Sequence, residues 1–300
     1  MMTKTKYGIM LMFLSATALL TGCGNDDFNE NGNANANENA ISFSTNLQPF
    51  AKASTYSSVT DMQTEGSFTC TTYEANSTTV SIPASRVVWS GIDWQFADDI
   101  HFWPTSGDLD FFAYMPKSGS LPSYVSSVSY STARTPQFAC SGMPLTEAGQ
   151  DGLKEFIWAL STGKNKSNSS AGVAMAFKHV FARVKFVVGN PASDNVTINS
   201  VTIPDIYSSG TCTWPNTWSS WGGADSFVAG GDESWYLVIP NNYGSKTLTV
   251  NATWKNWSEV SQSKSKDITV NWEAGHSYTY TITLDENGLI IDTEKYTEQW

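Results

Sequence analysis

Ile100-His101-Phe102-Trp103-Pro104-Thr105-Ser106-Gly107-Asp108-Leu109-Asp110-Phe111-Phe112-Ala113-Tyr114-Met115-Pro116 decides the reading of this chain. Leu109 to Met115 is a strongly apolar, aromatic-rich strand, and Pro116 stops it. Ile100 to Trp103 is a shorter run that stops at Pro104. Thr105-Ser106-Gly107-Asp108 carries the residues of a tight turn, which predicts a hairpin joining the two.

The same signature repeats on both sides. Ile41-Ser42-Phe43-Ser44-Thr45-Asn46-Leu47 alternates, with Ile41, Phe43 and Leu47 on one face. Thr79 to Ile82, Arg86 to Trp89 and the pair Trp94 and Phe96 are short strand signals. Lys154 to Leu160 fits a strand or a short helix, and Lys164 to Ser170 is a polar loop. The apolar run from Val173 to Val188 is long enough to pass from one sheet or domain into the next. Val196 to Ile203, Ser234 to Ile239, Thr247 to Trp254, Lys266 to Val270 and Ser277 to Leu284 complete the pattern. Helical signals are scarce, and even spacing with many turns predicts an all-β chain of antiparallel sandwiches. The segment from Leu289 to Trp300 is expected to pair in its own sheet, with a place in a partner's groove or a role as a movable strand as the alternatives.

The first residues are of another kind. Lys4 and Lys6 precede an apolar run from Tyr7 to Leu20, which is too short for a comfortable membrane span. Leu20-Thr21-Gly22-Cys23 follows, the pattern of a bacterial lipoprotein signal. Residues 1–22 are therefore expected to be removed and Cys23 to carry lipid. Residues 23–40, with Asn-Ala repeats and almost no apolar content, read as a disordered tether.

The 300 residues leave about 260 for folding, enough for one large or two ordinary domains. A formal net charge of −11 offers no basic surface to phosphates and excludes nucleic acid as a partner. Cys70, Cys140 and Cys212 remain beyond Cys23; none lies at metal-ligand spacing. They read as small core residues, with a single disulfide as the alternative. His101, His179 and His276 sit inside strand patterns rather than beside a nucleophile. Asp98-Asp99 and the pair Asp108 and Asp110 lie at turns, where aspartate caps more often than it catalyses. No motif of metal, nucleophilic or phosphate chemistry is present, so neither enzyme, cofactor nor metal is expected.

The 12 tryptophans raise a second reading. Trp214, Trp218 and Trp221 crowd a stretch rich in Gly, Ser and Asn that reads as a polar loop. Rings there could stack on a glycan or meet a host ligand, or they could tuck beneath the loop and close the end of a sandwich.

The stretch from Phe102 to Pro116 resembles the central motif of the Bacteroidetes fimbrillin family, an aromatic-Trp-Pro turn followed by Leu-Asp-Phe-Phe-Ala-Tyr. Phe156-Ile157-Trp158-Ala159, Phe177 to Val184 and Trp272 to Tyr280 resemble further family segments in the expected order. The resemblance implies two tandem β-sandwich domains of transthyretin-like type, here residues 41–172 and 173–300. It implies a component of a type V pilus on the cell surface, serving adhesion and biofilm formation. It also implies a trypsin-like surface protease that removes the first strand, and neighbouring pilus subunits whose strand fills the vacated groove. Ile41, Phe43 and Leu47 suit that removable strand, though they equally suit the first strand of an ordinary sandwich. The candidate cut lies between Lys52 and Ala53, where the commoner family pattern has arginine before the small residue. A protease strict for arginine would spare Lys52 and leave the protein as a lipid-held anchor.

Overall fold

The computed structural model describes residues 39–47, 58–131, 134–189, 196–231, 234–254, 260–285 and 288–296. The expected lipidation site, Cys23, and the expected cleavage pair, Lys52 and Ala53, lie outside the described residues.

The first half comprises β1 (Ser42–Leu47), α1 (Val59–Glu65), β2 (Ser67–Glu74), β3 (Val80–Trp89), β4 (Trp94–Phe96), β5 (Leu109–Met115), β6 (Val125–Tyr130) and β7 (Pro136–Cys140). It continues through α2 (Glu147–Gln150), β8 (Ile157–Lys164) and β9 (Val173–His179). The second half comprises β10 (Ala182–Val188), β11 (Val196–Thr213), β12 (Thr217–Ala229), β13 (Tyr236–Val238), β14 (Asn241–Trp254), β15 (Val260–Trp272), β16 (Ser277–Asp285) and β17 (Gly288–Tyr296). The protein is thus almost wholly β.

Seven strands close on themselves in the order β1-β4-β3-β2-β5-β8-β9. A four-stranded sheet runs β13-β10-β16-β17, and a six-stranded sheet runs β15-β14-β11-β7-β6, with β12 paired to β11. Two of the pairings are parallel, β1 with β9 and β10 with β16, where antiparallel sheets were expected. Neither pair is joined by a hairpin. Both bring together strands distant in sequence, which frees their relative direction from turn geometry.

β5 explains its own composition. It lies between β2 and β8, and all seven of its residues are buried. Leu109, Phe111, Ala113 and Met115 enter the barrel core with Phe43, Phe68 and Trp94. Phe112 and Tyr114 point the other way, into a second core with Phe138, Phe156 and Trp158. A strand covered on both faces reads as a continuous apolar run. Asp110 is the exception, and its carboxylate is satisfied: Oδ1 accepts from Gly163 N at 2.8 Å and Oδ2 from Asn76 N at 3.3 Å. A buried carboxylate survives by such bonds.

The hairpin expected at residues 105–108 does not form. Residues 101–103 pair instead with the approach to β1. Ile41 N donates to His101 O at 2.8 Å, Trp103 N donates to Asn39 O at 2.9 Å, and Ala40 bridges Phe102. Turn residues permit a reversal, but β5 already has a partner on each side and no edge left to offer.

The long run from Val173 does pass from one sheet to the next. β9 is hydrogen-bonded into the barrel through β1 and β8, while β10 pairs with β13 and β16. The crossing therefore falls at residues 180–181. The third core cluster gathers Val184, Phe186, Ile203, Phe227, Tyr236 and Trp272. α1, which no sequence signal announced, is capped by Ser58, whose side chain accepts from Asp61 N at 3.2 Å. Gly66, at φ +75°, ends it.

Candidate functional site

β1 is held on both flanks. Phe43 faces Trp94 of antiparallel β4, and Phe43 to Leu47 run parallel to Val173 to Phe177 of β9. The alternation read from the sequence is realised: Ile41, Phe43 and Leu47 are all buried in the barrel core. Phe43 sits at its centre, edge-to-face with Phe68 at 5.8 Å, Phe96 at 5.2 Å and Phe111 at 5.7 Å. Each such side chain contributes about 1.5–3 kcal/mol by leaving water.

Gly172 makes room for this strand. A Cβ there would stand 3.0 Å from Phe43 C and 3.2 Å from Ser44 N, and its φ of +88° disfavours any side chain. The chain thus lets β1 lie against the start of β9 with no side chain between the two backbones. Withdrawing β1 would leave β4 and β9 each with an open row of backbone donors and acceptors, above an uncovered aromatic core.

The tryptophan stretch is a long hairpin, not a loop. β12 pairs with β11 as far as Thr217, opposite Thr213. Glycine and serine signal loops when nothing pairs with them; here the 18-residue β11 supplies a ladder. The three rings part company. Trp218 is core, and its Nε1 donates to Val180 O at 2.8 Å. Trp214, half-buried, packs on Trp158 at 5.7 Å with Lys178 Nζ 5.7 Å above its ring. Trp221 is 41% exposed. It flanks an open depression of about 420 Å³, on whose lining Trp218 and Trp272 also lie.

His179 is buried and bonds Glu155, also buried, at 2.8 Å through Nδ1. This pair ties β9 to the segment before β8. His101 packs its ring against Phe96 at 4.6 Å, and His276 lies 3.8 Å from Glu273. Among the described residues no group of His, Cys, Asp and Glu could hold a metal ion. Cys70, Cys140 and Cys212 are free and buried, as core residues. Burial raises all three thiols, Cys140 to about 12, so none is a nucleophile near neutral pH. No helix among the described residues is long and apolar enough to cross a membrane.

Sequence reasoning missed the pairing of residues 39–41 with 101–103, the role of Gly172, and the β6–β7 ribbon that extends the β11 sheet. The only local trace of the second was a lone glycine before an apolar run.

Comparison with known proteins places this architecture. The chain is similar in fold to a candidate cell-adhesion protein of Bacteroides uniformis, at 14% identity, TM-score 0.60, covering 85% of this chain and 98% of that one. A fimbrial protein of Bacteroides vulgatus matches at 12% identity, TM-score 0.58, covering 86% and 100%. A candidate cell-adhesion protein of Bacteroides ovatus matches at 13%, TM-score 0.56, covering 85% and 95%. No curated protein matches the sequence significantly. The sequence pattern of one family, described as fimbrillin-like, runs through residues 52–300, from just beyond β1 to the last residue. The chain therefore belongs to the fimbrillin-like family.

Proposed function

We propose that this protein is a structural component of a bacterial surface fimbria, a type V pilus, serving adhesion and biofilm formation. It is exported as a lipoprotein, held at the outer membrane through Cys23, and joined to neighbouring subunits by strand exchange. A trypsin-like surface protease cuts after Lys52, β1 leaves, and a neighbour's strand takes its seat. The observation that carries this reading is the seat itself. β1 is a short strand at the start of the fold whose apolar face fills the barrel core and whose two flanks are both hydrogen-bonded. An incoming strand with the same alternation regains the ladder and the core together. The fimbrillin-like family match and the fimbrial and adhesion proteins of similar fold support the same class.

On this reading the chain is two tandem β-sandwich domains of transthyretin-like type, residues 41–172 and 173–300. The separate cores around Phe43 and around Phe227 support two domains, while the core around Phe138 draws on both halves of the chain. The role is structural rather than enzymatic.

The test is the N-terminus of protein sheared from the native cell surface, read by mass spectrometry. A terminus at Ala53, lost together with detergent-resistant ladders on Lys52→Gln, supports strand exchange. A lipidated Cys23 as the sole terminus overturns the stalk-subunit role and leaves an anchor that is not cut.

A further inference from the structure

We propose that the depression beside Trp221 is a binding site for neutral pyranose oligosaccharides, separate from the seat of β1. Its apolar part is aromatic. Trp221 offers an exposed ring, and Trp218, Trp272 and Pro240 lie beneath or beside it. Its polar part is unusually uniform: Asn216, Asn241, Asn242 and Asn271, joined by Glu273 and His276. A pyranose presents this same pair of surfaces, a flat face of C–H groups and a girdle of hydroxyls that donate and accept. Asparagine amides also do both. An apolar peptide would leave these amides without partners on binding, which costs affinity.

The site is held in place before any ligand arrives. Trp221 stacks over Tyr207 at 6.4 Å and 28°, Tyr207 packs on Tyr243 at 5.5 Å, and Tyr243 packs on Trp272 at 5.4 Å. Trp221 Nε1 makes a long bond, 3.4 Å, to Pro240 O, and Tyr243 Oη donates to Ile239 O at 3.0 Å. A ring fixed in this way loses little freedom on binding. Asn216 is fixed as well: its Nδ2 donates to His179 O at 3.1 Å. Charge narrows the class: Glu273 at the rim and a net charge of −11 disfavour acidic sugars.

The test titrates the full chain in detergent with maltohexaose, laminarihexaose and triacetylchitotriose, followed by tryptophan fluorescence and calorimetry. At least one of these neutral probes is expected to bind saturably, and oligogalacturonate, which is anionic, is not. Trp221→Ala should weaken the binding about tenfold or more, and Asn242→Ala should weaken it less. Trp214→Ala, on the same hairpin but outside the depression, should leave it unchanged. Thermal melts of each variant separate lost binding from lost folding. Binding of none of the three neutral probes, or binding that survives Trp221→Ala in a folded protein, overturns the proposal. The result is independent of whether Lys52 is cut.

Discussion

The two terminal strands of the described chain solve the same problem in different ways. β1 is enclosed, with β4 on one flank and β9 on the other. Among the described residues β17 ends its sheet and pairs only with β16, from Ser277 opposite Tyr296 to Asp285 opposite Gly288. β1 is the shorter strand, yet it completes a closed barrel, whereas β17 adds a margin to an open sheet. Length and ladder bonds are thus poor guides to what a strand is worth. What matters is whether its removal leaves one new edge or two, and how much core it uncovers. This difference also separates the two candidate strands named for exchange: the seat of β1 is a groove, and the seat of β17 is a border.

The largest contrast should come from deletion. A chain lacking residues 41–47 is expected to lose its cooperative thermal transition and aggregate, and a synthetic peptide of residues 41–47 should restore the transition. A chain ending at Asp285 should still melt cooperatively, at a lower temperature. If the two truncations melt alike, the distinction between groove and border fails.

Single side chains give a finer version. Phe43→Ala should cost about 3–5 kcal/mol in chemical denaturation, since three ring contacts and a buried volume go together. Ile291→Ala should cost about 2 kcal/mol, at the low end for such changes, because a border strand can settle into the space. Equal losses would mean that β17 is as firmly seated as β1.

Alkaline pH probes the core around Phe138, which holds Cys140, and the core around Phe227, which holds Tyr278. Burial raises Cys140 from 9.0 to about 12 and Tyr278 of β16, beside β17, from 10.0 to about 12. In the unfolded chain these groups ionise near their ordinary values, so the unfolded state holds fewer protons than the native one in between. Stability should therefore fall as pH rises from about 9 towards 12. Urea midpoints at stepped pH measure the fall, and a midpoint that stays level would contradict it. Phenolate absorbance rising before thiol alkylation would show that the β16–β17 side opens first.

The smallest effect expected is at Lys154, whose Nζ lies 2.9 Å from Glu65 and which is half exposed. Lys154→Ala should change stability by no more than about 1 kcal/mol, as for other exposed ion pairs. A larger loss would give α1 a place in holding the barrel.

Strand composition and period were legible in the sequence because they are local. Alternation along Ile41, Phe43 and Leu47 put the correct face inward, and the apolar run at Leu109 to Met115 had the richness of a strand covered on both sides. The C-terminal strand pairs within its own sheet, as its place after Ser277 to Leu284 suggested. Pairing was not legible. Thr105 to Asp108 had turn chemistry but served no hairpin, since β5 was already flanked by β2 and β8. The stretch around Trp218 had loop composition yet became strand once β11 lay beside it. The scattered tryptophans could not reveal which ring would be core and which exposed, because that depends on the partner strand's register. Propensity and charge belong to the residues themselves. Which edges meet, and hence which strand closes the barrel and which ring faces solvent, depends on contacts between residues more than a hundred positions apart, such as Phe43 and Val173. Only the folded chain brings those together.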